Sequence, residues 1–236
     1  EAIHIPSNGR NPNLHINLTR QILEKTGCDV TVAISLDALG EVYDKIRGVS
    51  GNFETTLKTY DMYIELQKEH PRLFIVVNSV ISNQTIDTIP DLITFVKERM
   101  PQVYMHDFDY VRNVPTDTTV CLPPNERLRE VQKLIDANYD HYLTKLGSAL
   151  KKHQNELALQ TIETNTQRPS CTAAQNYLVV GFEGNVSFCE LREPIGNINF
   201  TPLEELWKSH NANVQRQEIK DTKCHCTWGC ATQNNI

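Results

Sequence analysis

The stretch "VTVAISLD" at Val30–Asp37 decides the fold class. Branched apolar residues dominate it, and a short run of that kind reads as a strand buried on both faces, the habit of parallel sheets. Its end is polar: Ser35 and Asp37 close the run two residues apart, on one face by strand periodicity. Three similar runs surround it, "AIHIPSNG" at 2–9, "LFIVVNSVIS" at 73–82 and "VYMHDFDYV" at 103–111. Between them lie helical patterns at 13–27, 52–70 and 88–100. The first stops at Gly27, the second before Pro71, and the third carries Pro90 in its first turn. In the middle one, Phe53, Leu57, Tyr60 and Ile64 share a face. The order β-α-β-α-β-α-β predicts parallel strands with helical crossovers, an α/β barrel or a doubly wound sheet. In such folds the chemistry sits at the C-terminal strand ends.

The pattern changes further along. Residues 113–124 read as a loop and about 125–158 as one long helix, with a boundary at "TNTQRPSC", 164–171. Beyond it, 176–190 reads as a small hairpin turned at Glu183-Gly184-Asn185. Residues 201–209 read as a short helix with Thr201 as N-cap and Pro202 at its first position. The expected division is a domain over 1–165 and a smaller cysteine-rich α+β one over 166–236.

Composition sets bounds. The 236 residues are 39 % hydrophobic and 22 % charged, with net charge −6 and no long basic run. That argues against nucleic acid as the main partner, since phosphate binding needs clustered Lys and Arg. No apolar stretch approaches a membrane span and no signal peptide opens the chain, so a cytoplasmic protein with no membrane partner is expected.

Five of the seven cysteines lie beyond residue 170: Cys171, Cys189, Cys224, Cys226 and Cys230. C-x-C pairs bridge poorly, and without a secretion signal disulfides fit badly. Structural zinc and an iron–sulfur cluster both suit four thiolates, and spacing alone leaves the two open. Cys28 and Cys121 are most simply structural, although Cys121, in a loop, suits a redox or substrate-facing thiol as well. His225 reads as a spacer between two cysteines, and Glu190 as a surface charge.

A resemblance narrows the choice. "ISLDALGEVYDKIRGVSGNFETTL" (34–57), with "IPSNG" (5–9) before it and "VVNSVIS" (76–82) after it, resembles the middle of a radical S-adenosylmethionine enzyme. The tail resembles the SPASM/Twitch extension of that superfamily: Cys171, the G-x4-C of Gly184–Cys189, "IGNI" (195–198), "LEELWKS" (203–209) and the final cysteines. The resemblance implies a partial (β/α)6 barrel with parallel strands. It implies an auxiliary 4Fe–4S cluster held by Cys171, Cys189 and at least two of Cys224, Cys226 and Cys230. It also implies S-adenosylmethionine contacts from Ser35, Asp37 and Asn78. Arg47 would pair with a carboxylate of cofactor or substrate; the plainer readings are a surface arginine for Arg47 and a capping role for Asp37. His106, Asp107 and Arg112, near the last strand, are candidate substrate contacts.

The superfamily's C-x3-C-x2-C motif, which binds the cofactor's own 4Fe–4S cluster, is absent from these residues, and so is the Gly-Gly-Glu strand after it. The chain begins without Met and already in a strand pattern, so an incomplete N-terminus is expected, with the second cluster in the missing segment. The few tail thiols favour the one-cluster Twitch form. The expected function is hydrogen-atom abstraction by a 5′-deoxyadenosyl radical from a peptide or small metabolite, with a flavodoxin or ferredoxin as reductant. The chain alone would then be inactive. The alternative is a non-catalytic scaffold with structural zinc.

Overall fold

Within Val30–Ser35 branched apolar residues alternate with small or polar ones, and that alternation sets the two faces of the sheet. Val30, Val32 and Ile34 are fully buried, whereas Thr31 and Ser35 on the opposite face are half-buried. The strand is therefore not equally covered on both sides. One face lies under helices, and the other carries the shorter, more polar side chains.

The computed structural model describes residues 2–112, 115–166 and 170–227. They form two compact units, 1–152 and 153–236. In the first, β1 (Ala2–Ser7), β2 (Asp29–Ser35), β3 (Leu73–Ile81) and β4 (Met105–Tyr110) make one parallel sheet in the order β1-β2-β3-β4. Parallel neighbours need crossovers, supplied by α1 (Pro12–Lys25), α2 (Gly40–Arg47) with α3 (Asn52–Glu69), and α4 (Ile89–Arg99). The fold class expected from the sequence holds: a mixed α/β unit on a parallel sheet, with four strands and no closed barrel among the described residues.

Three features differ from the sequence reading. Residues 40–47 form the helix α2, because Gly48 ends it in a left-handed conformation (φ 67°) that a separate short helix needs at its C-cap. The long helix expected over 125–158 is two helices, α5 (Asn125–Tyr142) and α6 (Lys145–Thr164). The Thr144 hydroxyl accepts from Gly147 N–H at 3.2 Å, a new N-cap that restarts the chain direction. Downstream, the N-cap of α7 (Leu203–Lys208) is Pro202 and not Thr201.

The second unit holds a three-stranded antiparallel sheet, β5 (Val179–Val180), β6 (Asn185–Ser187) and β7 (Gly196–Asn197), followed by α7 and α8 (His210–Asp221). Strands this short stabilise little by themselves. The core under them gathers Ala173, Ala174, Val186, Phe188, Ile195, Leu206, Ala212 and Ile219. Gly196 is there because Leu206 leaves no room: a Cβ would lie 2.3 Å from Leu206 Cδ2. Arg216 braces the unit. Its guanidinium stacks 4.7 Å from the Trp207 ring centre and 5.0 Å from that of Phe188, and donates to the Trp207 carbonyl at 2.8 Å. Among the described residues no helix is long and apolar enough to cross a membrane.

Candidate functional site

Each unit carries its own candidate site. In the first, the parallel register puts Ser35 beside Asn78 and Asn78 beside Asp107. Side chains alternate in strands, so these three form a row across the less covered face, with Asp109 two residues beyond Asp107. Asn78 Nδ2 donates to Asp109 Oδ2 at 3.1 Å. Asn78 Oδ1 is buried and has no hydrogen-bond partner among the described residues. A buried amide oxygen of that kind is an acceptor waiting for a donor. Asp107 is held by two residues that the sequence reading missed: Tyr139 donates to Oδ1 at 2.8 Å and Lys151 Nζ lies 2.8 Å from Oδ2. Both come from helices with no local motif to mark them.

Asp37 lies just past the end of β2, 4 % exposed. It accepts from the Val80 N–H at 2.9 Å and pairs with Arg47 of α2 at 2.5 Å. It does not cap α2, whose N-cap is Leu39. Burial pushes the Asp37 carboxyl above its ordinary range, and Arg47 pulls it back. The partner of Arg47 here is thus the chain's own carboxylate, although its Nε, also buried, has none among the described residues. A cavity of about 540 Å³ opens at the strand ends, lined by Asp37, Lys45, Val80, Ser82, Thr85 and Val111 among others.

The remaining residues singled out around β4 divide. His106 faces the helices and is fully buried, so it is a core residue and not a surface contact. Its Nε2 lies 2.8 Å from the Ser79 hydroxyl. That hydroxyl gives its only hydrogen to the Leu36 carbonyl, so the imidazole must donate from Nε2. Nδ1 is left as a buried acceptor without a partner among the described residues. Burial drives the His106 pKa down to about 3, with a small push from Lys97. Arg112 is half-buried just after β4. Cys28 is half-buried and Cys121 exposed.

In the second unit, Cys171, Cys189, Cys224 and Cys226 all line one cavity of about 320 Å³. Chain segments far apart in sequence bring them there: the approach to the sheet, the second residue after β6, and the segment following α8. Cys230 lies outside the described residues. No three His, Cys, Asp or Glu side chains among the described residues are grouped as ligands of one metal ion. Four thiols lining one cavity suit a cluster with several ligand positions. The donor set fits iron and sulfide on chemical grounds as well, being made of soft sulfur atoms.

The surroundings divide the thiols, favouring thiolate at Cys224 and the protonated thiol at Cys171 and Cys189, the last through burial. Ala173 N–H donates to Cys171 Sγ at 3.4 Å. Cys224 is held well below the usual thiol range by a hydrogen bond from Cys171 and by the nearby Arg192 guanidinium, while Cys171 is pushed up by the same bond and by burial. Arg192, which the sequence reading passed over, lines the cavity, and its backbone N–H donates to the Cys189 carbonyl at 3.2 Å. Its only signal was position, three residues after a candidate ligand. His225 is exposed, as a spacer should be, and Glu190 is exposed.

Residues 171–231 match the SPASM family, described as an iron-sulfur cluster-binding domain. Among solved structures, the chain is similar to anSMEcpe with bound AdoMet and the Kp18Cys peptide, at TM-score 0.61 and 12 % identity, covering 89 % of this chain and 58 % of that one. It is also similar to Streptococcus suis SuiB, at TM-score 0.61 and 15 % identity, covering 98 % of this chain and 56 % of that one. SuiB bound to S-adenosylmethionine gives TM-score 0.59 and 16 % identity, covering 88 % of this chain and 48 % of that one. At such identities the likeness is one of fold. No curated protein matches the chain in sequence. The resemblance of the tail to the SPASM extension stands in this match, and the likeness of the chain to anSMEcpe and SuiB is one of fold. The chain spans a little over half the length of the anSMEcpe and SuiB chains it matches.

Proposed function

We propose that this chain is the cofactor-positioning and auxiliary-cluster portion of a radical S-adenosylmethionine enzyme that modifies a peptide. The observation that carries the proposal is the convergence of Cys171, Cys189, Cys224 and Cys226 on one cavity. Cys171 and Cys189 act as upstream ligands, and two of Cys224, Cys226 and Cys230 complete one 4Fe–4S cluster. Ser35 and Asn78 present polar groups to S-adenosylmethionine on the less covered face of the sheet, and the orphaned Asn78 Oδ1 takes a donor from it. The Asp37–Arg47 pair fixes the rim at the strand ends. Where a cofactor-cluster segment accompanies these residues, S-adenosylmethionine supplies a 5′-deoxyadenosyl radical for hydrogen-atom abstraction. The protein's part is to orient the cofactor and exclude water. A peptide substrate is supported by the peptide bound in anSMEcpe, and a flavodoxin or ferredoxin would supply electrons in the cytoplasm.

The test is anaerobic reconstitution of the 236-residue chain with iron and sulfide, followed by metal and sulfide analysis. A brown protein with about four irons and four sulfides per chain is expected, as four cysteines suit that cluster. Cys171→Ala and Cys189→Ala should each lose most of the iron. A colourless protein that retains one zinc, or full iron retention in both variants, would overturn the reading.

A further inference from the structure

The cysteine cavity is not lined by cysteines alone. Arg192 and Glu218 both line it and pair with each other, with Arg192 NH1 3.0 Å from Glu218 Oε2. The two ends of the pair are unlike: the Arg192 side chain is 18 % exposed and that of Glu218 53 %. The guanidinium is thus the inner charge and the carboxylate the outer, partly solvated one. Arg192 is also fixed from behind, since its backbone N–H closes the turn onto Cys189. Its charged head points to the Cys224 side of the cavity from a segment that begins at Cys189.

We infer that Arg192 is the residue that sets the reduction potential of the cluster bound in this cavity, with Glu218 as its moderating counter-charge. The inference rests on the iron–sulfur reading above. A cluster gains one negative charge when it takes up one electron. A fixed positive charge beside a ligand sulfur favours that added charge, and a hydrogen bond to the sulfur does the same. The region is screened from water on the Arg192 side, so the interaction is stronger than the same charges would feel in bulk solvent. Glu218 opposes it, but more weakly, because its carboxylate is more exposed. Arg192 therefore poises the cluster toward accepting an electron, and the pair lets the two residues be separated by experiment, since their removal should move the potential in opposite directions. Arg192 acts through the ligand and is a positioning residue, not a catalytic one.

The test is an anaerobic redox titration of the reconstituted chain, followed by electron paramagnetic resonance, on wild type, Arg192→Met, Arg192→Lys and Glu218→Gln. At fixed solution potential, Arg192→Met should lower the ratio of reduced to oxidised cluster about tenfold, a shift of about 59 mV for a one-electron couple. Arg192→Lys should recover most of it, and Glu218→Gln should raise the ratio. Iron content, read on the same samples, separates the two layers of argument. Wild type without cluster overturns the iron–sulfur reading and this inference with it. Wild type and variants with equal iron and equal potentials overturn the role of Arg192 alone. If Arg192→Met fails to hold iron, Glu218→Gln decides, and an unchanged potential there refutes the proposal.

Discussion

Replacing His106 by Gln should remove a pH dependence of stability that the wild-type chain carries between about pH 8 and pH 5. His106 is fully buried, donates from Nε2 to Ser79, and has its Nδ1 where no acceptor receives a proton. Its pKa is down at about 3, while an unfolded histidine titrates near 6.5. The unfolded chain therefore binds more protons than the native one below pH 6.5. Stability is full above that value and is lost as pH falls toward 3. Each pH unit below 6.5 costs about 1.4 kcal/mol, so by pH 5 the loss is about 2 kcal/mol. Gln keeps an N–H at the position of Nε2 but does not titrate. Its own cost to packing is the same at every pH, so only the slope reports the effect. Urea unfolding at several pH values in that window measures it, staying above the range where the paired carboxylates titrate. Parallel pH profiles for wild type and His106→Gln would refute the reasoning, as would a His106 resonance titrating near 6.5 in the native protein.

Arg47→Met should destabilise the first unit by about 3 kcal/mol at neutral pH, because it strands the buried Asp37 carboxylate without its counter-ion. The burial that raises the Asp37 pKa lets it protonate more readily, so the penalty should shrink as the pH falls toward 5, which chemical denaturation checks. Gly196→Ala should destabilise the second unit by about 1–3 kcal/mol, since the new Cβ would overlap Leu206 Cδ2 in the core. Loss of iron uptake with an intact first unit, followed by circular dichroism and metal analysis, would show the local effect.

The sheet was legible because its strands carry their own signal. Val30, Val32 and Ile34 alternate with Thr31, Ala33 and Ser35, and Gly and Pro mark the helix ends. The cysteine set was legible through order and spacing, although position in sequence could not say that all four described thiols share a cavity. What was not legible came from contacts between distant segments. Nothing local marks Lys151 or Tyr139 as partners of Asp107, 44 and 32 residues away. Arg47 read as a partner of a cofactor or substrate carboxylate or as a surface arginine, and its pairing with Asp37 shows only once α2 is placed. The break between α5 and α6 was hidden because "HYLTKLGS" continues a helical pattern, and only the Thr144 cap interrupts it. His106 read as a site residue because histidine near a strand end suggests chemistry, whereas its strand parity turns it toward the helices.

The insertion of α2 bears on how the sheet assembles. Its neighbours in space are neighbours in sequence, so each strand can dock on the one made before it. The pairs Ala2–Asp29, Val30–Leu73 and Val76–Met105 close chain lengths of about 27, 43 and 29 residues. The middle closure is the longest because it holds two helices, α2 and α3. Loop entropy grows only with the logarithm of length, so the longer crossover adds about 0.4 kcal/mol to the closure term, a factor of about two in the chance that its ends meet. An extra helix in a crossover is thus almost invisible to the folding of the sheet. It leaves such a segment open to lengthening or reshaping around a strand end while the four strands keep their register.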